Sequence, residues 1–293
     1  MPELPEVETV CRGLAPVMEG ARVNGIEVRR PDLRFPFPDR FADRLRGAGI
    51  AHISRRSKYV CAALTTGELL IMHLGMSGRF TIEAGGDAKQ PGQFVHDVGG
   101  IAAHDHVVFT MSNGARITYN DPRRFGYMDL VDAATAETCK HFAELGVEPL
   151  GNAFHAHHLA RRGAGKVQDM KAFLLDQRNV AGLGNIYVCE ALHRAGISPR
   201  RKAGGLALKS GGPTDRAERL AVTIRQVLEE AIAAGGSSLR DYAQADGALG
   251  YFQHTFRAYS REGAPCPTRH CDGTIRRIVQ AGRSTFFCGK CQR

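Results

Sequence analysis

The sequence predicts an α+β chain of several domains: an N-terminal β-sandwich with flanking helices, a helical middle segment and a small metal-bound hairpin at the C-terminus. Three observations predict it: short β-rich runs between Ala21 and about Leu130, helical periodicity beyond Pro149, and four of the eight cysteines clustered near the C-terminus. The 293 residues suffice for more than one domain. We therefore predict domains at 1–150, 151–254 and 255–293.

The first ten residues, Met1 to Val10, permit two interpretations. Pro5 suits the first turn of a helix, and the neighbouring glutamates suit the positive end of its dipole. If Met1 is removed, however, Pro2 becomes a free secondary amine beside the carboxylate of Glu3, which is a compact covalent catalyst. The helix itself is predicted by apolar residues at helical spacing, and Pro16 should kink or end it.

Strands and turns dominate the rest of the first segment. Ser112-Asn113-Gly114 lies between two β-rich runs and predicts a hairpin, while the polar stretch from Glu83 to Gly100 predicts a surface insertion. The predicted strands are Tyr59 to Leu64, Glu68 to His73, Arg79 to Ile82, Val107 to Met111 and Ala115 to Tyr119.

The second segment is predicted to be helical. Lys202 to Pro213 contains four glycines and is interpreted as a mobile loop. The predicted helices are Ala153 to Arg161, Met170 to Gln177, Asn185 to Ala195, Asp215 to Ala234 and Ser238 to Ala243.

Charge and compartment limit the possible functions. The formal net charge of +9 favours a polyanionic partner, and the segment 255–293 contributes eight Lys and Arg against only Glu262 and Asp272. No secretory signal and no apolar run long enough for a membrane span are present, so we expect a cytoplasmic protein. Clustered cysteines in that compartment favour a metal over disulfides.

A zinc site is predicted from the spacing Cys266-(4)-Cys271-(16)-Cys288-(2)-Cys291. Four thiolates complete a tetrahedral site and leave no open position, so the ion is structural. His270 could replace Cys271 as a ligand, and a disulfide pairing is the other alternative.

Three further motifs are ambiguous by themselves. Gly182 to Tyr187 precedes a helix and could bind a phosphate or simply cap that helix. Asp121 to Gly126 could read a base with its arginines and Phe125, or be a solvated turn. His73 to Arg79 is a second turn, and Lys58 at a strand start is either solvated or bound to a phosphate.

Taken in order, these motifs resemble the bacterial formamidopyrimidine-DNA glycosylases along essentially the whole chain. The matching parts are Pro2 to Thr9, Lys58-Tyr59, His73 to Gly78, Ser112 to Gly114, Asp121 to Gly126, Gly182 to Tyr187 and the four-cysteine tail. The resemblance implies a β-sandwich, a helix–two-turn–helix domain and a C-terminal zinc ribbon. It also implies excision of oxidised purines from duplex DNA, followed by cleavage at the abasic site.

The resemblance also implies roles for single residues. Pro2 would be the nucleophile, since an α-amino group has a pKa near 8 and is partly uncharged at neutral pH. Glu3 would be the general acid, with Glu6 a supporting carboxylate. Lys58 would contact phosphate and assist β-elimination, and Arg283 would serve δ-elimination.

The implied partner is double-stranded DNA containing oxidised bases, bound by a monomer. The target base must leave the stack before its glycosidic bond is accessible, and Lys202 to Pro213 would close over it. The implied DNA contacts are His73, Met76, His104, Arg123, Phe125, Lys166, Lys171 and Asn185, of which Met76, Arg123 and Phe125 would fill the vacated stack.

Two features depart from the family pattern, and two rival functions remain. The first cysteine pair encloses four residues instead of two, and the stretch 161–171 aligns poorly, so Arg162 is an alternative to Lys166. An endonuclease VIII-like enzyme for oxidised pyrimidines would share Pro2, Glu3 and zinc, although Leu4 and the intact Asp121 to Phe125 argue against it. A non-catalytic damage-binding protein would use the same basic hairpin.

Overall fold

The computed structural model describes residues 2–84, 87–89, 102–237 and 251–293. Most of the predicted insertion, Glu83 to Gly100, and the predicted helix Ser238 to Ala243 lie outside these residues. The chain divides into two compact units, Met1–Ala143 with Ile232–Gln253, and Glu144–Ala231 with His254–Arg293. This division differs from the three predicted segments, because the cysteine hairpin groups with the helical segment.

The described residues of the first unit form two α-helices and nine strands. In chain order they are α1 Leu4–Met18, β1 Val23–Val28, α2 Phe41–Leu45, β2 Ile50–Arg56, β3 Tyr59–Leu64, β4 Glu68–His73, β5 Arg79–Ala84, β6 Asp87–Lys89, β7 Asp105–Met111, β8 Arg116–Asn120 and β9 Tyr127–Asp132. All neighbouring strands are antiparallel, in the orders β1-β7-β8-β5-β6 and β2-β3-β4-β9. Apolar side chains from both sheets and from α1 form one core, which confirms the predicted sandwich with its helix.

Helix α1 runs through Pro16 and ends two residues later at Met18, so the proline lies in the last turn and does not itself end the helix. A proline in the last turn removes one backbone hydrogen bond but leaves the earlier turns intact. The chain leaves the helix at Glu19 and Gly20, whose φ of +76° suits glycine.

The predicted hairpin at Ser112-Asn113-Gly114 is confirmed, and it joins β7 to β8. Gly114 has a φ of +85°, and the Asn113 Oδ1 accepts a hydrogen bond from the Ala115 amide at 3.1 Å. The Asn113 Nδ2 also donates to the Val17 carbonyl at 3.0 Å, so the turn is fixed to the end of α1. This turn lies at the opposite end of the strand pair from Asn120.

The second unit consists of four helices and a two-stranded hairpin. They are α3 Ala156–Gly163, α4 Met170–Leu175, α5 Asn185–Arg194, α6 Asp215–Ala233, β10 Ile275–Gln280 and β11 Arg283–Cys288, the last two residues of α6 being assigned to the first unit. The segment Lys202 to Pro213 is not all loop, since it contains a 3₁₀ turn at Ala203–Leu206 and a bridge between Ala207 and Pro213. No helix in the described ranges is long and apolar enough to cross a membrane.

The cysteine hairpin joins the helical segment because its own core is small. That core contains two aromatic or aliphatic side chains of the hairpin, Ile275 and Phe286, together with Ala258 and two cysteines. The fully buried Glu190 of α5 accepts hydrogen bonds from three successive amides, at residues 257–259, over 2.8–2.9 Å. These bonds satisfy a carboxylate that would otherwise be costly to bury, and they connect α5 to the hairpin segment.

Candidate functional site

Pro2 and Glu3 are buried immediately before α1, and Glu3 is the N-cap of that helix. The Glu3 side chain accepts from the amide of Glu6, and the Glu6 Oε2 accepts from the Glu3 amide at 2.9 Å. This reciprocal capping box satisfies two helix-terminal donors and fixes the backbone next to Pro2. The helix-start interpretation of the N-terminus is confirmed, whereas the catalytic interpretation of Pro2 and Glu3 stays a prediction.

The Glu6 carboxylate has a second partner from a distant part of the first unit. Its Oε1 accepts a hydrogen bond from the Ser237 amide at 2.7 Å, and its side chain is 2% exposed. Gly236 has a φ of +83°, and a Cβ there would lie 3.0 Å from the same oxygen. Glu6 thus joins the backbone at residue 3 to the backbone at residue 237, and it acts in this structure as a positioning group.

Lys58 lies in the tight turn between β2 and β3, after Ser57, whose φ is +54°. The Arg55 guanidinium donates to the Ser57 carbonyl at 3.0 Å and to Glu8 of α1 at 3.1 Å, so the turn is held against that helix. Lys58 is largely buried, and its positive charge contributes to the lowered pKa of His73.

His73 ends β4 and is neutral at physiological pH. Burial lowers its pKa to about 4, and the charges of Lys58, Arg34 and His141 add to the effect. Its Nδ1 accepts from the Gly75 amide at 3.0 Å, which leaves Nε2 as the protonated nitrogen. The ring stacks on Tyr127 with centroids 5.1 Å apart. His73 can therefore donate a hydrogen bond to a phosphate without carrying a charge.

The predicted turns at His73 to Gly78 and Asp121 to Gly126 interlock through the buried carboxylate of Asp121. That carboxylate accepts from Ser77 Oγ at 2.6 Å, from the Gly126 amide at 2.8 Å and from Tyr119 Oη at 3.3 Å. Ser77 Oγ in turn accepts from the Arg123 amide at 3.2 Å. These hydrogen bonds join the two turns. Ser77 and Asp121 are 44 positions apart in the chain, so no local sequence pattern indicates their contact.

Arg123 and Phe125, two of the predicted DNA contacts, are exposed on these turns. Phe125 is 43% exposed, and the Arg123 guanidinium lies 5.1 Å from its ring centroid. Met76 is half-buried on the neighbouring turn. His104 ends a 3₁₀ turn, and its carbonyl accepts from the Asp121 amide at 3.0 Å. The structure therefore brings His73, Met76, His104, Arg123 and Phe125 together on one set of loops.

In the second unit, Asn185 and Lys171 hold the hairpin segment that contains Arg283. The Asn185 Nδ2 donates to the Ser284 carbonyl at 3.1 Å, and the Lys171 ammonium donates to the same carbonyl at 3.0 Å and to Thr285 Oγ1 at 2.6 Å. Lys171 has no exposed surface. The expected contact of Lys171 with DNA stays a prediction, since in this structure its ammonium group is hydrogen-bonded inside the protein. Arg283 is exposed next to the turn at 281–282.

Between the two candidates near residue 165, the structure favours Lys166 over Arg162. The Arg162 guanidinium donates to the Asn179 side chain at 3.0 Å and to the Arg178 carbonyl at 3.1 Å. Lys166 is exposed in the turn that follows α3. Its predicted contact with phosphate stays a prediction.

The four C-terminal cysteines have the geometry of a zinc site. Their sulfurs all lie within 4.8 Å of one another, with 3.6 Å between those of Cys266 and Cys291 and 3.7 Å between those of Cys271 and Cys288. Four sulfurs around tetrahedral zinc would lie about 3.8 Å apart, whereas a disulfide requires about 2 Å. The cluster includes Cys271 and not His270. The four cysteines therefore fit one structural zinc without His270 as a ligand.

A histidine of α5 completes the surroundings of the metal site. The His193 Nε2 lies 3.4 Å from the Cys266 sulfur. A Cβ at Gly273 would lie 2.7 Å from the Cys288 sulfur, so this position has no room for a side chain. The other four cysteines lie outside this cluster and form no disulfide among the described residues, and burial raises the pKa of Cys61 to about 12.

Comparison with known protein families covers nearly the entire chain. Residues 1–128 match the family model described as "Formamidopyrimidine-DNA glycosylase N-terminal domain", and residues 145–243 match "Formamidopyrimidine-DNA glycosylase H2TH domain". Residues 263–293 match "Zinc finger found in FPG and IleRS".

Curated relatives and solved structures agree with these matches. The chain is 62% identical to a formamidopyrimidine-DNA glycosylase of Beijerinckia indica and 60% identical to that of Ruegeria pomeroyi, each over the full length of both proteins. The crystal structure of the MutM (Fpg) protein from Thermus thermophilus is 36% identical, with a TM-score of 0.81 over 99% of this chain and 98% of that one. A Lactococcus lactis Fpg variant in complex with Fapy-dG containing DNA is 31% identical, with a TM-score of 0.83 over all of both chains.

Proposed function

The chain belongs to the formamidopyrimidine-DNA glycosylase family, and from this membership we propose that it is a bifunctional enzyme of base excision repair. It excises oxidised purines, such as 8-oxoguanine and formamidopyrimidines, from duplex DNA and then cleaves the strand at the abasic site. The observation that carries the proposal for this chain is the buried Pro2–Glu3 pair at the capped start of α1.

The amine of Pro2 is the proposed nucleophile once Met1 has been removed. Its lone pair attacks the deoxyribose C1′ while the bond from C1′ to the base nitrogen breaks and the base leaves with a proton. Opening of the sugar ring then forms a C=N bond to the proline nitrogen. Because a secondary amine has no second proton to lose, this nitrogen stays positively charged as an iminium ion. Glu3, held by the capping box, donates the proton that ring opening requires.

The iminium ion is the electron sink for strand cleavage. Loss of a proton from C2′ expels the 3′ phosphate in β-elimination, and a second elimination expels the 5′ phosphate. Lys58 is proposed to assist the first step, since it lies at a rigid turn close to His73. Arg283 is proposed to assist the second, on a hairpin segment held by Asn185 and Lys171.

Recognition of the lesion is assigned to the interlocked turns of the first unit. A flipped base leaves a gap in the stack that an apolar or cationic side chain can fill. Met76, Arg123 and Phe125 project from turns that Asp121 immobilises, so they would enter the duplex without losing much conformational freedom. His73 and His104 on the first unit, and Asn185 and Lys166 on the second, are proposed to bind phosphates.

Zinc has a structural role in this proposal. The four cysteines would hold the ion and keep the hairpin folded. The working partner is duplex DNA with oxidised bases, and we infer that a monomer acts on it in the bacterial cytoplasm, associated with the nucleoid through DNA.

Borohydride trapping tests the proposed chemistry. Borohydride reduces an iminium ion to a stable amine, so incubation with an 8-oxoguanine duplex should give a covalent protein–DNA adduct. A variant that retains Met1 has no free amine at residue 2 and should lose the adduct while keeping DNA binding, whereas the control Pro16→Ala should trap normally. Efficient trapping without the Pro2 amine would show that another amine is the nucleophile.

A further inference from the structure

A third loop adjoins the two interlocked turns of the first unit. Residues 31–37 form a compact loop closed by a bridge between Asp32 and Pro36. The Arg34 amide donates to the Gly126 carbonyl at 3.1 Å. This bond docks the loop on the end of the turn that carries Arg123 and Phe125.

The loop carries an arginine beside a phenylalanine, as does the turn on which it is docked. Arg34 and Phe35 are both exposed, Phe35 by 51%, and the Arg34 guanidinium lies 5.3 Å from the Phe35 ring centroid. The pair formed by Arg123 and Phe125 has the corresponding distance of 5.1 Å. Phe35 also makes an edge contact with Tyr127 at 5.2 Å, and Tyr127 stacks on His73. Arg34 is thus connected to the proposed phosphate contact at His73 through the rings of Phe35 and Tyr127.

The charges around this position favour an anionic ligand. The groups that act electrostatically on His73 are Lys58, Arg34 and His141, all of them basic. His141 is paired with Asp129 at 2.7 Å, whereas Arg34 forms no ion pair within the described residues of the chain. An exposed guanidinium that lies among other positive charges is stabilised by a bound phosphate. The phosphate attracts the guanidinium and offsets the repulsion from the neighbouring positive groups.

We propose that residues 31–37 form an additional DNA-contacting loop, in which Arg34 binds a backbone phosphate next to the phosphate at His73 and Phe35 orients the guanidinium. This inference rests on the proposed function, since it names a further contact for the same DNA. A backbone contact carries no base information, so Arg34 serves damaged and undamaged duplexes equally.

The test is binding of a short duplex, with and without a tetrahydrofuran abasic-site analogue, measured by fluorescence anisotropy as a function of salt. Loss of one phosphate contact lowers the slope of log affinity against log salt by about 0.9. Arg34→Ala should therefore bind both duplexes more weakly than the wild type, and its deficit should shrink by about threefold between about 50 and about 200 mM salt. Arg34→Lys should keep the wild-type slope, because it keeps the charge.

Arg22→Ala is the matched control, because Arg22 is an exposed arginine beside Ser112, at the opposite end of the β7–β8 pair from Asp121. It should bind like the wild type. Phe35→Ala should weaken binding while keeping the salt slope, since it frees the guanidinium without removing it.

An Arg34→Ala variant with the affinity and salt slope of Arg22→Ala overturns the inference. The fold is not at risk, because the docking bond uses the Arg34 main chain. If the wild type itself neither binds duplex DNA nor traps, it is the proposed function that fails, and the two failures are therefore distinct.

Discussion

Replacing Asp121 with alanine tests whether one buried carboxylate holds the lesion-recognition turns together. The carboxylate has no exposed surface and accepts from Ser77, Gly126 and Tyr119 at 2.6, 2.8 and 3.3 Å. Ser77 is half-buried, so water can replace its partner. The other two donors are buried, and each costs about 1–3 kcal/mol when left without an acceptor. The expected loss in the free energy of unfolding is therefore roughly 2–6 kcal/mol.

Asp121→Asn gives an intermediate expectation, because its amide oxygen can still face the Gly126 amide and the Tyr119 hydroxyl. Only the charge assistance is lost, which is worth about 1 kcal/mol. Asp132→Asn is the control: Asp132 caps a 3₁₀ turn through the Ala134 amide at 2.8 Å, and asparagine is an equally good cap.

The chain contains no tryptophan, so urea unfolding is best followed by far-UV circular dichroism. Hydrogen exchange at 73–78 and 121–126 then locates the effect. We expect faster exchange in both turns of Asp121→Ala and weaker binding of an abasic-site duplex, with trapping intact at saturating protein. Unchanged stability together with unchanged protection of both turns would refute the reasoning, since it would mean that the turns hold each other by packing alone.

Three other outcomes are expected. Lys171→Met should destabilise the protein by about 2–3 kcal/mol and weaken DNA binding without changing the slope of log affinity against log salt. Lys166→Ala should lower that slope by about 0.9. Equal slopes for the two variants would contradict a phosphate contact at Lys166 alone. The free energy of unfolding of the DNA-free protein should fall as the pH drops from about 6.5 towards 4, because His73 takes up a proton in the unfolded protein but not in the folded one. In urea titrations, this fall should be smaller in His73→Gln than in the wild type, by up to about 3 kcal/mol. Removal of zinc, verified by metal analysis, should unfold the hairpin and weaken DNA binding, and unchanged affinity would show that the hairpin is dispensable.

Local patterns could be predicted from the sequence where neighbours along the chain decide the structure. Strands β3 and β4 have the predicted bounds, because two apolar runs flank the short turn at Thr66-Gly67 and such a turn fixes their antiparallel register. Helix α5 begins at Asn185 after a glycine-rich turn, as predicted. The four-cysteine spacing likewise predicts a set of ligands that the fold brings together.

Interactions between distant residues could not be predicted in this way. Lys171 is a polar residue at a helical position, and its partners lie 113 and 114 residues further along the chain, so its burial leaves no local signal. The same holds for Asp121 and Ser77. The loop at 31–37 had no distinctive signal either, because its dipeptide Arg-Phe at 34–35 also occurs at 40–41, 79–80 and 124–125.

The bond from Glu6 to the Ser237 amide spans 231 positions, and it sets an order of events during synthesis of the chain. The first turn of α1 leaves the ribosome early, but its second anchor is made roughly 10–50 s later at ordinary translation rates. During that interval the N-terminus lacks one of the contacts that fix it. Removal of Met1, which a buried Pro2 would hinder, therefore has its best opportunity on the nascent chain. Once residue 237 has been made, the same bond that positions the amine would protect it from further processing.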